Sequence, residues 1–233
     1  MKVSPLLVAG FIAVTSPYTQ AASLDIKITN LTQGIYFTPL LVAAHSNEHH
    51  LFSPGMTASA ELQAMAEGGS IAGLSAIIDS ISGNKVENPA SGLLAPAQSA
   101  MTLLETSDGN QFLSITAMML PTNDGFVGLD SWMIPSMPGS YDIYLNAYDA
   151  GTEANNELIL EGSGAPGTAG IPAAPGIGAG MNGTGVTNTE SNQQIHIHRG
   201  NLGDDNAEGG DSDLNNTVHR WLNPVAKVTV TVK

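Results

Sequence analysis

Val228-Thr229-Val230-Thr231-Val232-Lys233 alternates an apolar β-branched side chain with a polar one at every step. Successive side chains on a strand point to opposite faces, so the valines define one buried face and the threonines and lysine one wet face. Leu24, Ile26 and Ile28 alternate in the same way with Asp25, Lys27 and Thr29, and this second half-buried strand ends at Asn30. Pro224, just upstream of the valines, suits a sheet edge or the first residues of a strand. Ile35 to Ala44, Met101 to Glu105, Phe112 to Leu120, Tyr141 to Tyr148 and Gln194 to His198 continue the series of strand-like runs. Two segments follow a helical period instead. Thr57 to Glu67 places Leu62, Met65 and Ala66 on one face, and Ile71 to Ile81 is apolar at Leu74, Ile77, Ile78 and Ile81. Mostly antiparallel strands, one or two short helices and long loops predict an all-β fold, an antiparallel β-sandwich.

The chain has 233 residues and a formal net charge of -14, which disfavours nucleic acid and anionic membranes as partners because both are polyanions. Met1-Lys2, the apolar run from Pro5 to Thr15 and the small residues Thr19, Ala21 and Ala22 read as a cleaved export signal over residues 1–22. That run is too short and too interrupted, by Ser16, Pro17 and Gln20, to span a bilayer. Residues 23–233 are then one secreted or periplasmic domain. It contains no cysteine, so core packing, with or without a metal, must replace disulfides. Residues 161–190, rich in Gly, Ala and Pro, read as a flexible insertion that lacks a core face.

Two acidic loops adjoin strand-like runs: Pro121-Thr-Asn-Asp124-Gly-Phe-Val-Gly-Leu-Asp130 and Tyr148-Asp149-Ala-Gly-Thr-Glu153. Carboxylates from two loops at one end of a sheet suit Ca²⁺, which takes six to eight oxygen ligands in irregular geometry. Asp130 is either a further ligand or the start of an Asp130-Ser131 turn. Asp204, Asp205, Glu208, Asp211 and Asp213 lack the spacing of an EF-hand and read as a solvated acidic loop. His196 and His198 share one strand face, and with His45, His49, His50 and His219 they leave a zinc or copper site open. No nucleophile elbow, His-Glu-x-x-His or phosphate loop is present. Paired carboxyls leave a secreted metal-dependent hydrolase as the alternative, although two tryptophans and 5% aromatics give a sugar few platforms.

Taken in order, Ile28-Thr-Asn-Leu31, Phe37-Thr-Pro-Leu-Leu-Val-Ala-Ala-His45, Leu51-Phe-Ser-Pro-Gly55, Ala66-Glu67-Gly-Gly69, the two acidic loops, and Trp221-Leu-Asn-Pro-Val-Ala-Lys-Val-Thr-Val230 resemble the spondin N-terminal domain, the module of F-spondin and mindin. The resemblance implies an antiparallel β-sandwich, a bound Ca²⁺, and an adhesive role with an extracellular protein or glycan as partner; oligomeric state stays open. Residue by residue, it carries calcium ligation onto Asp124, Asp149 and Glu153. Glu153 stands where the family has Asp, and this chain lacks the cysteines of the animal domains.

Overall fold

A computed structural model describes residues 21–177 and 182–233. The expected export signal thus lies almost wholly outside the described residues. Within them the chain forms ten strands and two helices: β1 Ser23–Asn30, β2 Tyr36–Phe37, β3 Leu41–His45, α1 Ala60–Gly68, α2 Ala72–Ser80, β4 Asn84–Glu87, β5 Ser99–Glu105, β6 Phe112–Leu120, β7 Gly125–Met133, β8 Gly139–Asp149, β9 His196–Ile197 and β10 Ala226–Val232. The fold is all-β with two covering helices, and every strand ladder is antiparallel.

The strands follow the order β4-β3-β6-β7-β8-β10-β1-β5, with β2 on β6 and β9 on β8. Strand β8 joins the two halves: Gly139 to Leu145 pair with β10, and Asn146 to Asp149 pair with β7. The outer strands approach each other at the far side, where Ser107 N donates to Asn84 Oδ1 at 2.7 Å and Asn84 Nδ2 donates to Ser107 Oγ at 3.1 Å. The sheet therefore comes close to closing on itself as a barrel.

The two half-sheets differ in burial for a sequence reason. Strands β1 and β10 pair Ile26 with Val230 and Ile28 with Val228, and these side chains point into one core with Leu24, Ala100 and Leu104. Their outward neighbours meet solvent, hence the alternation. Strand β3 is buried at every position. Val42 and Ala44 enter the central core, while Leu41 and Ala43 face a second apolar layer built from Leu62 and Met65 of α1 and Leu74 and Ile78 of α2. A strand covered on both faces reads as a continuous apolar run. Each aliphatic side chain so buried contributes about 1.5–3 kcal/mol.

Helix α1 starts where Ser59 Oγ accepts the Leu62 N–H at 3.1 Å and stops at Gly69, whose φ of 72° places it in the left-handed region. The run from Ile35 to Ala44 is two strands rather than one, broken at Thr38 to Leu40. Strands β4 and β7 add to those legible in the sequence. In β7 the pairing with β6 shifts register between Leu113 and Ile115. Ser114 occupies the irregularity: its Oγ accepts the Ser131 N–H at 2.9 Å and donates to His45 Nε2 at 2.7 Å.

Candidate functional site: a buried carboxyl cluster

Asp124 is the last loop residue before β7, and Asp149 is the last residue of β8. Because Gly125 pairs with Asp149 in the β7–β8 ladder, the register alone brings the two acids together. The turn after β8 then folds back over Asp124, whose Oδ2 accepts the Thr152 N–H at 2.8 Å, the Thr152 hydroxyl at 3.1 Å and the Glu153 N–H at 3.3 Å. Asp149 orients its own loop: Oδ1 accepts the Gly151 N–H at 2.8 Å and Oδ2 accepts Asn155 Nδ2 at 2.7 Å. Glu153 Oε2 accepts the Gly170 N–H at 2.7 Å and Asn123 Nδ2 at 3.3 Å.

Space at this end is tight. A Cβ on Gly125 would lie 2.7 Å from Thr122 Oγ1, and one on Gly128 would lie 2.6 Å from Phe52 Cζ. Phe52, Phe126 and Tyr148 pack as a trio with ring centroids 5.0, 5.0 and 5.6 Å apart, which walls off the β7–β8 face.

Asp124 is 0% exposed and Asp149 2%. Burial, reinforced by the Asp149 charge, pushes the Asp124 carboxyl up to about 8 against hydrogen bonds that pull it down. Burial also raises Asp149, and it pushes Glu153 up to about 7. Two carboxyl oxygens in this cluster, Asp124 Oδ1 and Glu153 Oε1, are buried and have no hydrogen-bond partner. Among the described residues no Lys or Arg pairs with these acids, and the one basic side chain within ion-pair distance of them is the His196 imidazole, with Nε2 3.7 Å from Asp149 Oδ2. Buried unpartnered carboxylate oxygen is costly, and the cost falls when the group takes up a proton or meets a cation. The donor set, all oxygen and rich in carboxyl, is that of a hard cation. Among the described residues no three His, Asp or Glu side chains by themselves form a ready metal cage. Amide, backbone or water oxygens would have to complete the six to eight ligands such an ion takes.

The other candidate residues go elsewhere. Asp130 accepts from His50 Nδ1 at 3.1 Å and from the Ser131 hydroxyl at 2.9 Å, beside the bulge and not at the cluster. His45 is locked by Ser114 and by the Ser46 carbonyl, which Nδ1 reaches at 2.8 Å; burial lowers its pKa. His198, its ring tilted against Trp221 with centroids 4.9 Å apart, is pushed down to about 3 by burial. His219 Nδ1 accepts the Asn215 N–H at 3.0 Å.

The loop expected to be merely solvated is wired into the molecule. Asp204 accepts backbone N–H groups of Asn206, Asp211 and Ser212, and Asp213 accepts those of Ile159 and Gly183. Glu157, buried, accepts from Leu202 N, Gly203 N and Ser212 Oγ. Composition alone gives residues 161–190 no core face, yet Ile171 and Ala174 are buried, and Gly167 N donates to Glu67 Oε2 at 2.6 Å. Asn123 and Asn155 are the site residues that sequence reasoning missed; their only signal is an amide beside each acidic loop.

An all-β domain whose β6–β7 and β8 loops converge on buried acids is the class that these observations define. The Spondin_N family model matches residues 29–158, more than half of the chain, and the chain belongs to the spondin N-terminal domain family. The match takes in Asp124, Asp149 and Glu153 and ends before the glycine-rich segment. Comparison with curated proteins gave no match. No helix among the described residues is long and apolar enough to cross a membrane.

Proposed function

We propose that this chain is an exported, calcium-binding adhesion module, recognising an extracellular protein or glycan, whose loops are ordered by Ca²⁺ at Asp124, Asp149 and Glu153. The observation that carries the reading is the pair of buried carboxyl oxygens without partners, Asp124 Oδ1 and Glu153 Oε1. When bound, the ion supplies the positive charge that these acids otherwise lack. Asp124 holds the turn at Thr152 and Glu153 through one oxygen and leaves the other free for ligation. Asp149 is aimed by Gly151 and Asn155. Glu153 tethers Gly170 through Oε2, so the glycine-rich segment shares a side chain with the site. Membership of a family of extracellular interaction modules supports the interaction role. The hydrolase alternative needs carboxyls facing an open cleft, whereas Asp124 and Asp149 are buried.

A ligand that binds only the folded state adds stability of RT ln(1 + [L]/Kd), roughly 2.7 kcal/mol at a hundredfold excess over Kd. Thermal unfolding in Ca²⁺ is therefore expected at a higher midpoint than in EDTA, with Asp149→Ala removing the difference. Identical wild-type midpoints up to millimolar Ca²⁺ would refute the reading.

A further inference from the structure

Besides the carboxyl cluster, one surface feature runs against the charge of the whole chain. The sequence holds two arginines, Arg199 and Arg220, and 21 acids. The fold places both arginines on one cavity of about 430 Å³, lined by Arg199, Asn201, Leu202, Arg220, Trp221 and Leu222. The two short segments that carry them lie side by side. A Cβ on Gly200 would sit 2.8 Å from the Trp221 carbonyl, and Asn201 Nδ2 donates to the His219 carbonyl at 3.2 Å and to the Pro121 carbonyl at 2.9 Å. Trp221 is buried, its ring tilted against that of His198 with centroids 4.9 Å apart, so the base of the cavity is a fixed part of the core.

Lys85, Lys227 and Lys233 each sit within ion-pair distance of a carboxylate, whereas neither arginine has an ion pair or hydrogen bond among the described residues. Beside these free guanidinium groups stand two exposed leucines, Leu222 at 84% and Leu202 at 47% exposure. Trp221 Nε1–H, buried at the same place, has no acceptor.

A guanidinium presents a planar fork of donors that matches a carboxylate, and its affinity rises where apolar neighbours exclude water. Arginine, tryptophan and exposed aliphatic side chains together are the composition of a protein-binding centre. A long polyanion would have to lie along a surface that is otherwise acidic, and that field repels it. A short segment that carries one or two carboxylates between apolar side chains meets only the cavity. We propose that the Arg199–Arg220 cleft docks an acidic, leucine-rich type of peptide segment from a protein partner. The cleft gives the interaction role a contact surface separate from the carboxyl cluster, and both arginines lie beyond the family match.

The test is fluorescence anisotropy of the full chain with a fluorescein-labelled peptide of alternating glutamate and leucine. Wild type is expected to bind it, and the Arg199→Gln/Arg220→Gln double variant to bind roughly tenfold or more weakly, the effect of losing charge-assisted hydrogen bonds. Glutamine in place of the peptide's glutamates should cause a loss of the same order. Leu222→Ser should give a smaller loss, and the calcium shift in thermal unfolding should stay unchanged in every variant, which separates this cleft from the carboxyl site. Equal binding by wild type and the double variant, no binding at up to about 1 mM peptide, or tighter arginine-dependent binding of dextran sulfate than of the peptide would overturn the proposal.

Discussion

The sheet of β1, β5 and β10 and the loop end around Asp124 solve the same problem by different physics. In the sheet, Leu24, Ile26, Ile28, Val228 and Val230 remove apolar surface from water and the ladders satisfy the backbone. At the loop end there is little regular ladder, and the backbone N–H groups are taken up by acids: Glu67, Asp124, Asp149, Glu153, Glu157, Asp204 and Asp213 each accept at least one. Apolar burial is indifferent to pH and to divalent ions. A loop end held by carboxyls is expected to respond to both, and in a chain without cysteine it has no covalent staple to fall back on.

The largest effect is expected on the sheet side. Val230→Asp places a charge without a partner in the central core, and chemical denaturation should show a loss on the order of 4 kcal/mol or more, or no folded protein at all. That loss should be the same in Ca²⁺ and in EDTA. A Val230→Asp defect rescued by calcium would dissolve the distinction between the two regions.

Glu157→Ala is expected to come next. It leaves the Leu202 and Gly203 N–H groups and the Ser212 hydroxyl without their acceptor, and each such loss costs about 1–3 kcal/mol when the group stays buried. Water reaching part of this loop end will reduce the sum. Hydrogen exchange should report faster opening of residues 200–213 while β1 and β10 keep their protection. Uniform loss of protection would mean that the two regions unfold as one unit.

The pH dependence is gradual, spread over several units, and its sign is specific. Asp124, Asp149 and Glu153 have folded pKa values raised above the unfolded range, to about 8 for Asp124 and about 7 for Glu153. A raised folded pKa means that the folded state holds the proton more tightly. Their stabilisation is fully present below the unfolded values near 4 and is lost as pH rises through the folded values. In EDTA the thermal midpoint should therefore fall between about pH 5 and pH 8, and in saturating Ca²⁺ that fall should shrink. A midpoint that rises over the same window in EDTA would contradict the raised values.

Much of the sheet is legible in the sequence because water is its reader: β1 and β10 alternate since one face is wet, and β3 is apolar from Leu41 to Ala44 since neither face is. Strand β7 hides because Gly125 and Gly128 carry no pattern and because Asp130 and Ser131, at the bulge, read as a turn. Strand β4, Asn84-Lys-Val-Glu87, is short, polar and at an edge. Asp124, Asp149 and Glu153 are legible as motifs, but their meeting depends on the register that sets Gly125 opposite Asp149. The structural work of Glu157, Asp204 and Asp213 is not legible at all, since each reaches partners by loop geometry rather than by period. Arg199 and Arg220 are 21 positions apart, and only the fold sets their segments side by side.

The most direct measurement is isothermal titration of CaCl₂ into EDTA-stripped, desalted protein at pH 7, run in two buffers of different ionisation enthalpy, on wild type and on Asp124→Asn. The expected result is one Ca²⁺ per chain with protons released on binding, because the ion displaces them from Asp124 and Glu153, and no measurable binding by Asp124→Asn. The absence of wild-type binding up to millimolar Ca²⁺, or binding that Asp124→Asn leaves intact, would contradict the account.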